Sequence, residues 1–180
     1  IDTASVAEVI ADYYVDSDLG DNSYDGTSPT TAWKTIGKVN LAVLVSGDTV
    51  AFKGTFTDDQ LDCQSGVTYT TYGGGRAKLQ PTPLNGTDFV VNAYDKNNVT
   101  ISNLEIVGRR WVNAKSGTYL LVDNCYMHHY NTTEDQYMMV NTAPFYADYT
   151  YNTYMEVKNS IMNGGFPSTE QRDLIDLTRS

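Results

Sequence analysis

A threefold internal repeat is the feature that most constrains the fold of this 180-residue chain. Each copy carries two apolar residues two positions apart, an Asn two positions later, and a further apolar residue three positions after the Asn. The copies are Val99–Gly108, Leu120–His129 and Met155–Gly164, and they begin 21 and 35 residues apart. A propeller or an α-solenoid would keep a steadier period. The repeat therefore predicts stacked coils of strands, each burying its apolar face against its neighbours.

The Asn of each copy is interpreted as a turn residue. Asn tolerates the left-handed backbone conformation, and its side chain bonds nearby backbone groups. Amides that stack from coil to coil can also bond one another, as in other Asn ladders. Asn103, Asn124 and Asn159 are therefore predicted to be structural. The inserts between copies differ in length, and such loops often carry function.

Composition agrees with an all-β fold and excludes some partners. The 22 Thr and 14 Tyr residues favour strands, and the 14 Asn residues favour turns. A net charge of −10 disfavours nucleic acid and anionic membranes as partners. No apolar run approaches the roughly 20 residues of a membrane-spanning helix. The polar, uncharged composition favours an extracellular location: secreted, on a cell surface or in a virion.

The two cysteines give less information. Cys63 and Cys125 have no metal-binding spacing, and the sequence leaves open whether they pair. Cysteine is among the most buried residue types, so two buried free thiols are the simpler interpretation.

Five segments in the first part of the chain resemble the N-terminal region of right-handed parallel β-helix proteins of the pectate-lyase-like superfamily. The segments are Tyr13–Val15, Gly20–Pro29, Ala32–Ile36, Gly47–Gly54 and Gly66–Gly73. In that superfamily a strand, an Asp- and Gly-rich loop and a capping helix precede the first coils. The resemblance is specific for the fold and not for an activity, because the superfamily includes lyases, glycoside hydrolases, epimerases, phage tailspikes and adhesins.

The resemblance implies an all-β, right-handed parallel β-helix with an N-terminal capping helix. Residues 1–46 would form the strand, loop and helix, and residues 47–180 the coils. A helical pattern from Thr31 to Val45 suits a cap that covers the open end of the first coil. By analogy, more coils are expected after Ser180, so the chain is expected to be the N-terminal portion of a longer β-helix.

The candidate metal ligands follow from what a polysaccharide lyase would need. A uronate lyase needs a cation, often Ca²⁺, and a base that takes the proton beside the substrate carboxylate. The segment 170–177 is similar to the Asp-rich strand that supplies calcium ligands in some β-helix lyases, which implies Glu170, Asp173 and Asp176 as ligands. The alternative is a solvated strand with outward-facing carboxylates.

Cations and aromatic side chains supply the candidate sugar contacts. Arg109, Arg110 and Lys115 are candidates for binding an acidic sugar and for catalysis, since Arg bonds carboxylates well. Aromatic rings stack on sugar faces, and the insert 130–154 is rich in Tyr. The expected carbohydrate contacts are Trp111, Tyr130, Asp135 and Tyr137. A solvated loop with Trp111 packed on the coil is the alternative.

Two functions remain open from the sequence. One is an extracellular carbohydrate-active enzyme, a pectate- or alginate-type lyase or a glycoside hydrolase, with polysaccharide as partner. The other is a non-catalytic structural protein, such as a phage tail fibre, a tailspike or a cell-surface filament subunit. In that case an uncapped C-terminal end would assemble the chain into a homo-oligomer or filament.

Overall fold

Parallel strands dominate the structure, a computed structural model that describes residues 9–82, 89–108, 110–129, 140–141 and 154–163. One helix, α1 (Ile36–Leu41), and fifteen strands lie within these ranges. The strands are β1 (Tyr13–Asp16), β2 (Thr49–Lys53), β3 (Thr55–Phe56), β4 (Leu61–Asp62), β5 (Thr68–Thr71), β6 (Ala77–Leu79), β7 (Val91–Asn92), β8 (Val99–Ser102), β9 (Leu104–Val107), β10 (Val112–Asn113), β11 (Leu120–Asp123), β12 (Tyr126–His128), β13 (Val140–Asn141), β14 (Met155–Lys158) and β15 (Ile161–Asn163). No helix in these ranges is both long enough and apolar enough to cross a membrane.

The described strands form three parallel sheets. Sheet A has the order β1-β2-β5-β8-β11-β14, sheet B has the order β15-β12-β9-β6-β3, and sheet C has the order β13-β10-β7-β4. From β2 onward the chain passes through sheets A, B and C in turn, and we call each pass a circuit. Strands of equivalent position in successive circuits pair with each other, so the circuits stack one on another.

The repeat in the sequence predicts the register of this stacking, and the structure confirms it. The three aligned rows are Val99–Leu120–Met155, Ile101–Val122–Val157 and Ile106–Met127–Met162. These side chains alternate with outward ones, because successive residues of a strand face opposite sides of the sheet. The apolar rows therefore build a core enclosed by the sheets.

Aromatic side chains fill the end of this core near α1. The rings of Phe52 and Phe56 meet edge to face at 5.6 Å, and Tyr69 stacks on Phe52 at 6.5 Å. All three side chains are buried. Burial of each such side chain contributes about 1.5–3 kcal/mol.

The helical segment is shorter than its pattern indicates, which corrects the prediction of a helix from Thr31 to Val45. Helix α1 has six residues, and the Thr35 hydroxyl caps it by accepting the Lys38 N–H at 3.1 Å. The backbone is already extended at Ala42. Beyond that residue, Val43 and Val45 are exposed while Leu44 is buried, which is the alternation of an extended segment.

Side-chain amides attach α1 and the following segment to the edge strand β4. The Asn40 side chain accepts the N–H of Asp62 at 3.0 Å and donates to the carbonyl of Gln60 at 2.8 Å. Gln64 donates in turn to the carbonyl of Ala42 at 2.8 Å. These bonds satisfy backbone groups that an edge strand would otherwise offer to another chain.

Candidate functional site

A row of Asp and Asn side chains lies on the outer face of sheet C. Asp62, Asn92 and Asn113 are register partners in β4, β7 and β10, and Asn141 continues the register in β13. Each of the first three follows a fully buried apolar residue, namely Leu61, Val91 and Val112. Because strand residues alternate between faces, the burial of these neighbours turns the polar side chains outward.

The first three members of this row form a hydrogen-bond ladder. Asn92 Nδ2 donates to Asp62 Oδ1 at 3.0 Å, and Asn113 Nδ2 donates to Asn92 Oδ1 at 3.0 Å. An amide nitrogen carries two N–H groups and a carboxylate has two oxygens. Each rung therefore keeps bonding capacity for a ligand, and the rungs repeat at the strand spacing of about 4.8 Å.

A groove of about 490 Å³ runs beside this ladder and is lined by α1 and its following segment on one side and by β4 and β7 on the other. Val43 and Tyr94 contribute exposed apolar surface, with 87% and 39% of their surface accessible. Asp62, Asn92 and Lys96 contribute the polar groups. An exposed aromatic beside fixed hydrogen-bonding groups is the combination that sugar rings require.

Arg110 and Lys115 lie at the two ends of β10, next to this face. The Arg110 guanidinium lies over the Phe89 ring at 5.5 Å. Burial, together with the nearby charge of Arg110, lowers the pKa of Lys115. Arg110 and Lys115 thus flank β10 on either side in the chain, whereas Arg109 lies outside the described residues. Four of the chain's 12 Lys and Arg residues fall between Lys96 and Lys115.

The prediction that Trp111 contacts a sugar is wrong. Its side chain is 0% exposed, and its Nε1 donates to the carbonyls of Gly108 at 3.1 Å and His128 at 3.2 Å. The indole is one of the largest fully buried side chains, and Val112 beside it is buried as well. The other predicted contacts, Tyr130, Asp135 and Tyr137, lie outside the described residues.

The calcium prediction also falls outside the described residues, because it rests on Glu170, Asp173 and Asp176. Among the residues that are described, no group of three His, Cys, Asp or Glu side chains is arranged to hold a metal ion. The carboxylates of the N-terminal loop serve turns instead. Asp16 accepts the N–H groups of two residues that follow it and bonds Lys53 at 3.0 Å. Burial raises the pKa of Asp16, but these bonds outweigh it, so the pKa is lowered overall.

The three repeat Asn residues occupy left-handed turns between sheets A and B. Their φ angles are 58° at Asn103, 51° at Asn124 and 51° at Asn159. Asn124 Nδ2 donates to Asn103 Oδ1 at 2.8 Å, and Asn103 donates to the hydroxyl of Thr70 at 3.1 Å. These side chains are therefore engaged in the scaffold.

A second polar cluster lies on the outer face of sheet B. The Glu105 carboxylate accepts from Lys78 at 3.0 Å and lies 2.9 Å from Nε2 of His128. The ring of Tyr126 stacks on His128 at 4.4 Å. Burial raises the pKa of Glu105, but the hydrogen bonds with His128 and Lys78 outweigh it, so the pKa is lowered overall. This cluster joins β6, β9 and β12.

The sequence interpretation missed both the ladder and the second cluster. One signal pointed to the ladder: the dipeptide Val-Asn occurs at Val39, Val91, Val112 and Val140, and the copies at Val91 and Val112 are 21 residues apart, as are the first two repeats. The second cluster left no comparable signal, because Lys78, Glu105 and His128 share no motif.

Comparisons with known proteins identify a similar fold. No protein-family model and no curated protein matches the sequence. The native crystal structure of the GH136 lacto-N-biosidase from Eubacterium ramulus is similar with a TM-score of 0.56 and 22% identity, over 65% of this chain and 27% of that chain. For its selenomethionine derivative the values are 0.60 and 20%, over 82% and 33%. The chain thus spans at most about a third of that carbohydrate-active enzyme, and the likeness concerns the fold.

Proposed function

We propose that this chain is a right-handed parallel β-helix, capped by α1, and that the outer face of sheet C binds an acidic polysaccharide outside the cell. The observation that carries this proposal is the Asp62–Asn92–Asn113 ladder, which lies beside a groove with an exposed Tyr94. The repeated order of sheets A, B and C and the similar solved structures support the β-helix.

The chemistry of the groove suits a sugar chain. The free amide N–H groups of the ladder can donate to sugar oxygens, and the Tyr94 ring can stack on the apolar face of a pyranose. The ladder rises across successive strands, so its rungs lie along the direction in which circuits stack. A linear polymer lying in that direction meets one rung per circuit.

The local charge favours an acidic sugar. The chain carries a net charge of −10, so its surface as a whole repels polyanions. Lys96 lines the groove, and Arg110 and Lys115 lie at the ends of β10. Cations concentrated beside the ladder guide a polyuronate to this face and pair with its carboxylates.

A catalytic form of the same proposal is a polysaccharide lyase. The lowered pKa of Lys115 makes its neutral amine more accessible, and a neutral amine can act as a base. Lys115 would take the proton from the carbon beside the uronate carboxylate. The electron pair of that C–H bond would form a C=C bond as the C–O bond to the leaving sugar breaks, and the leaving oxygen would take a proton from water. A calcium ion, for which Glu170, Asp173 and Asp176 are the proposed ligands, would neutralise the substrate carboxylate.

Affinity electrophoresis tests the binding proposal. The chain is expected to be retarded in gels that contain polygalacturonate or alginate, and not in gels that contain neutral dextran. Tyr94→Ala and Lys115→Ala should weaken the retardation. Two matched variants away from sheet C, Tyr24→Ala and Lys158→Ala, should not, because both side chains are exposed elsewhere. Equal mobility of the wild type in all three gels would refute the proposal.

Ultraviolet absorbance of the unsaturated product tests the catalytic form separately. The chain is incubated with polygalacturonate or alginate, with Ca²⁺ and with a chelator. Product that forms in the wild type and is lost in Lys115→Ala supports the lyase. Binding without product refutes the catalytic form and favours the non-catalytic structural alternative.

A further inference from the structure

A second groove adjoins the first at α1. It has a volume of about 510 Å³ and is lined by the helix, by Asn22 of the N-terminal loop and by Asp59 of the segment before β4. Asn40 lines both this groove and the groove beside the ladder. Its side chain bonds the backbone of Gln60 and Asp62, so α1 is held against the edge of sheet C at the point where the two grooves meet.

The two grooves follow one another along α1. The N–H of Gly37 donates to the Asp58 side chain at 3.1 Å, and the carbonyl of Ala42 accepts from Gln64 at 2.8 Å. The helix and the residue after it therefore run beside β4 in the direction of that strand. Gly37 lines the second groove and Ala42 lines the first, with Asn40 between them. A polymer that leaves the first groove at Asn40 enters the second.

Three side chains keep hydrogen-bond donors for a ligand in the second groove. The Thr35 hydroxyl accepts from the Lys38 N–H at 3.1 Å and from Nδ2 of Asn22 at 2.9 Å, which leaves its own proton to donate. An amide nitrogen carries two N–H groups, and within the described part of the chain Asn22 and Asn40 each use one of them. Bonds to the scaffold thus fix the positions of these donors.

A cation and a carboxylate line the same groove. The Lys38 ammonium lies 5.6 Å from the centre of the buried Trp33 ring. Asp59 approaches Gly37 so closely that a Cβ on Gly37 would lie 2.7 Å from a carboxylate oxygen of Asp59. A uronate residue suits both charged groups, because its carboxylate pairs with an ammonium and its hydroxyls donate to a carboxylate.

Exposed apolar side chains line both grooves. Leu41 lines the second groove with 84% of its surface accessible, and Val43 lines the first. Leu41 and the fixed donors give the second groove the combination of apolar and polar surface that Tyr94 and the ladder give the first. Both grooves therefore suit the same kind of ligand, a sugar chain whose rings have apolar faces and polar edges.

We propose that the second groove continues the polysaccharide site, so that an internal stretch of an acidic chain crosses α1 at Asn40 and places further sugars against Thr35, Lys38 and Asp59. This inference rests on the proposed function of sheet C. It adds a second subsite on the cap, which gives a longer chain additional affinity.

Isothermal titration calorimetry with oligogalacturonates of increasing length tests this inference. The shortest oligomers whose binding is weakened by Tyr94→Ala define occupancy of the first groove. Longer oligomers should bind the wild type more tightly, because their additional sugars reach the second groove.

The variant Lys38→Ala identifies the part of this gain that comes from the second groove. It should weaken the binding of long oligomers by up to about fivefold, as expected for one exposed ion pair, and leave the binding of the shortest oligomers unchanged. Lys34→Ala is the matched control, because it removes an equal charge from an exposed side chain that lines neither groove. It should bind every length as the wild type does.

A charge placed in the path of the chain gives a stronger test. Leu41→Asp puts a carboxylate in the second groove and should abolish the gain in affinity with length, because it repels a polyuronate. Leu19→Asp is its matched control, since Leu19 is 79% exposed and lines neither groove. Both leucines are exposed, so neither variant removes a buried side chain.

Two outcomes overturn the inference in distinguishable ways. If Lys38→Ala and Leu41→Asp bind long oligomers as tightly as their controls do, the second groove is not part of the site, and the proposed function of sheet C stands. If no uronate oligomer binds the wild type, the proposed function and this inference are refuted together.

Discussion

Arg76 makes two hydrogen bonds to Asn124, from Nε to the backbone carbonyl at 3.1 Å and from Nη2 to the side-chain oxygen at 2.7 Å. Asn124 Nδ2 donates to Asn103 Oδ1, and Asn159 could donate to Asn124 Oδ1 in the same way if Arg76 did not occupy that oxygen. Asn159 instead donates to Oδ1 of Asp123 at 2.8 Å. The row of Asn-to-Asn hydrogen bonds therefore ends at Asn124, where Arg76 from an earlier circuit binds the side-chain oxygen.

Replacing Asn124 tests how much these turns contribute to stability. Asn124→Ala should lower the free energy of unfolding by about 1–3 kcal/mol, since Ala is strained at a φ of 51° and cannot join the ladder. Asn124→Gly should lose less, because Gly adopts this φ freely. Urea unfolding followed by circular dichroism gives both values. Identical midpoints for wild type and Asn124→Ala would contradict a structural role.

The buried indole of Trp111 gives a second prediction. Trp111→Ala leaves a cavity and should cost about 3–5 kcal/mol of stability. Trp111→Phe should cost less, although the carbonyls of Gly108 and His128 lose their shared donor. Thermal unfolding measures both, with Tyr94→Ala as an exposed aromatic control that should leave stability nearly unchanged. A Trp111→Ala variant as stable as the wild type would show that the indole is not in the core.

We expect the cluster of Glu105, Lys78 and His128 to stabilise the fold less as the pH falls. The folded-state pKa of Glu105 lies below its ordinary value, so its stabilising contribution is present above that value and is lost as pH falls through the folded-state pKa. The melting temperature of Glu105→Gln should therefore lie below that of the wild type at neutral pH, and the gap should narrow in acid. A gap that stays constant with pH would contradict the ion pair with Lys78.

The two cysteines should be unreactive in the folded protein. Both are buried free thiols, as the simpler sequence interpretation expects. Burial raises the pKa of Cys125 to about 11 and raises that of Cys63 further. At about pH 8, where an ordinary thiol reacts through its thiolate, a thiol-specific chromogenic disulfide should label neither residue until urea is added. Rapid labelling of either thiol without denaturant would contradict this packing.

Periodicity in the sequence was enough to predict the stacking register. Within each repeat, alternation identifies the inward side chains, and the spacing from Asn103 to Asn124 and Asn159 identifies equivalent turns. This information is local, because the alternation of apolar and polar residues within a four-residue strand identifies its buried and its exposed face. For this reason the prediction of paired rows and left-handed Asn turns matches the structure.

Other features follow from contacts between distant segments, and only the tertiary structure decided them. Strands of sheet C such as β4 and β10 are two residues long, too short for alternation to be recognised, so the Asp62–Asn113 row was missed. Helix α1 ends at Leu41 because the backbone is extended from Ala42, whose carbonyl accepts from Gln64, and the N–H groups of Leu44 and Val45 donate to side chains of Gln64 and Asp48. Trp111 lies beside two Arg residues in sequence and yet faces the core. The sequence by itself determined which side chains point inward along each regular strand. The stacking of the circuits decided which outward side chains contact one another, because such contacts join residues some 20 to 30 positions apart in the chain that lie on adjacent strands.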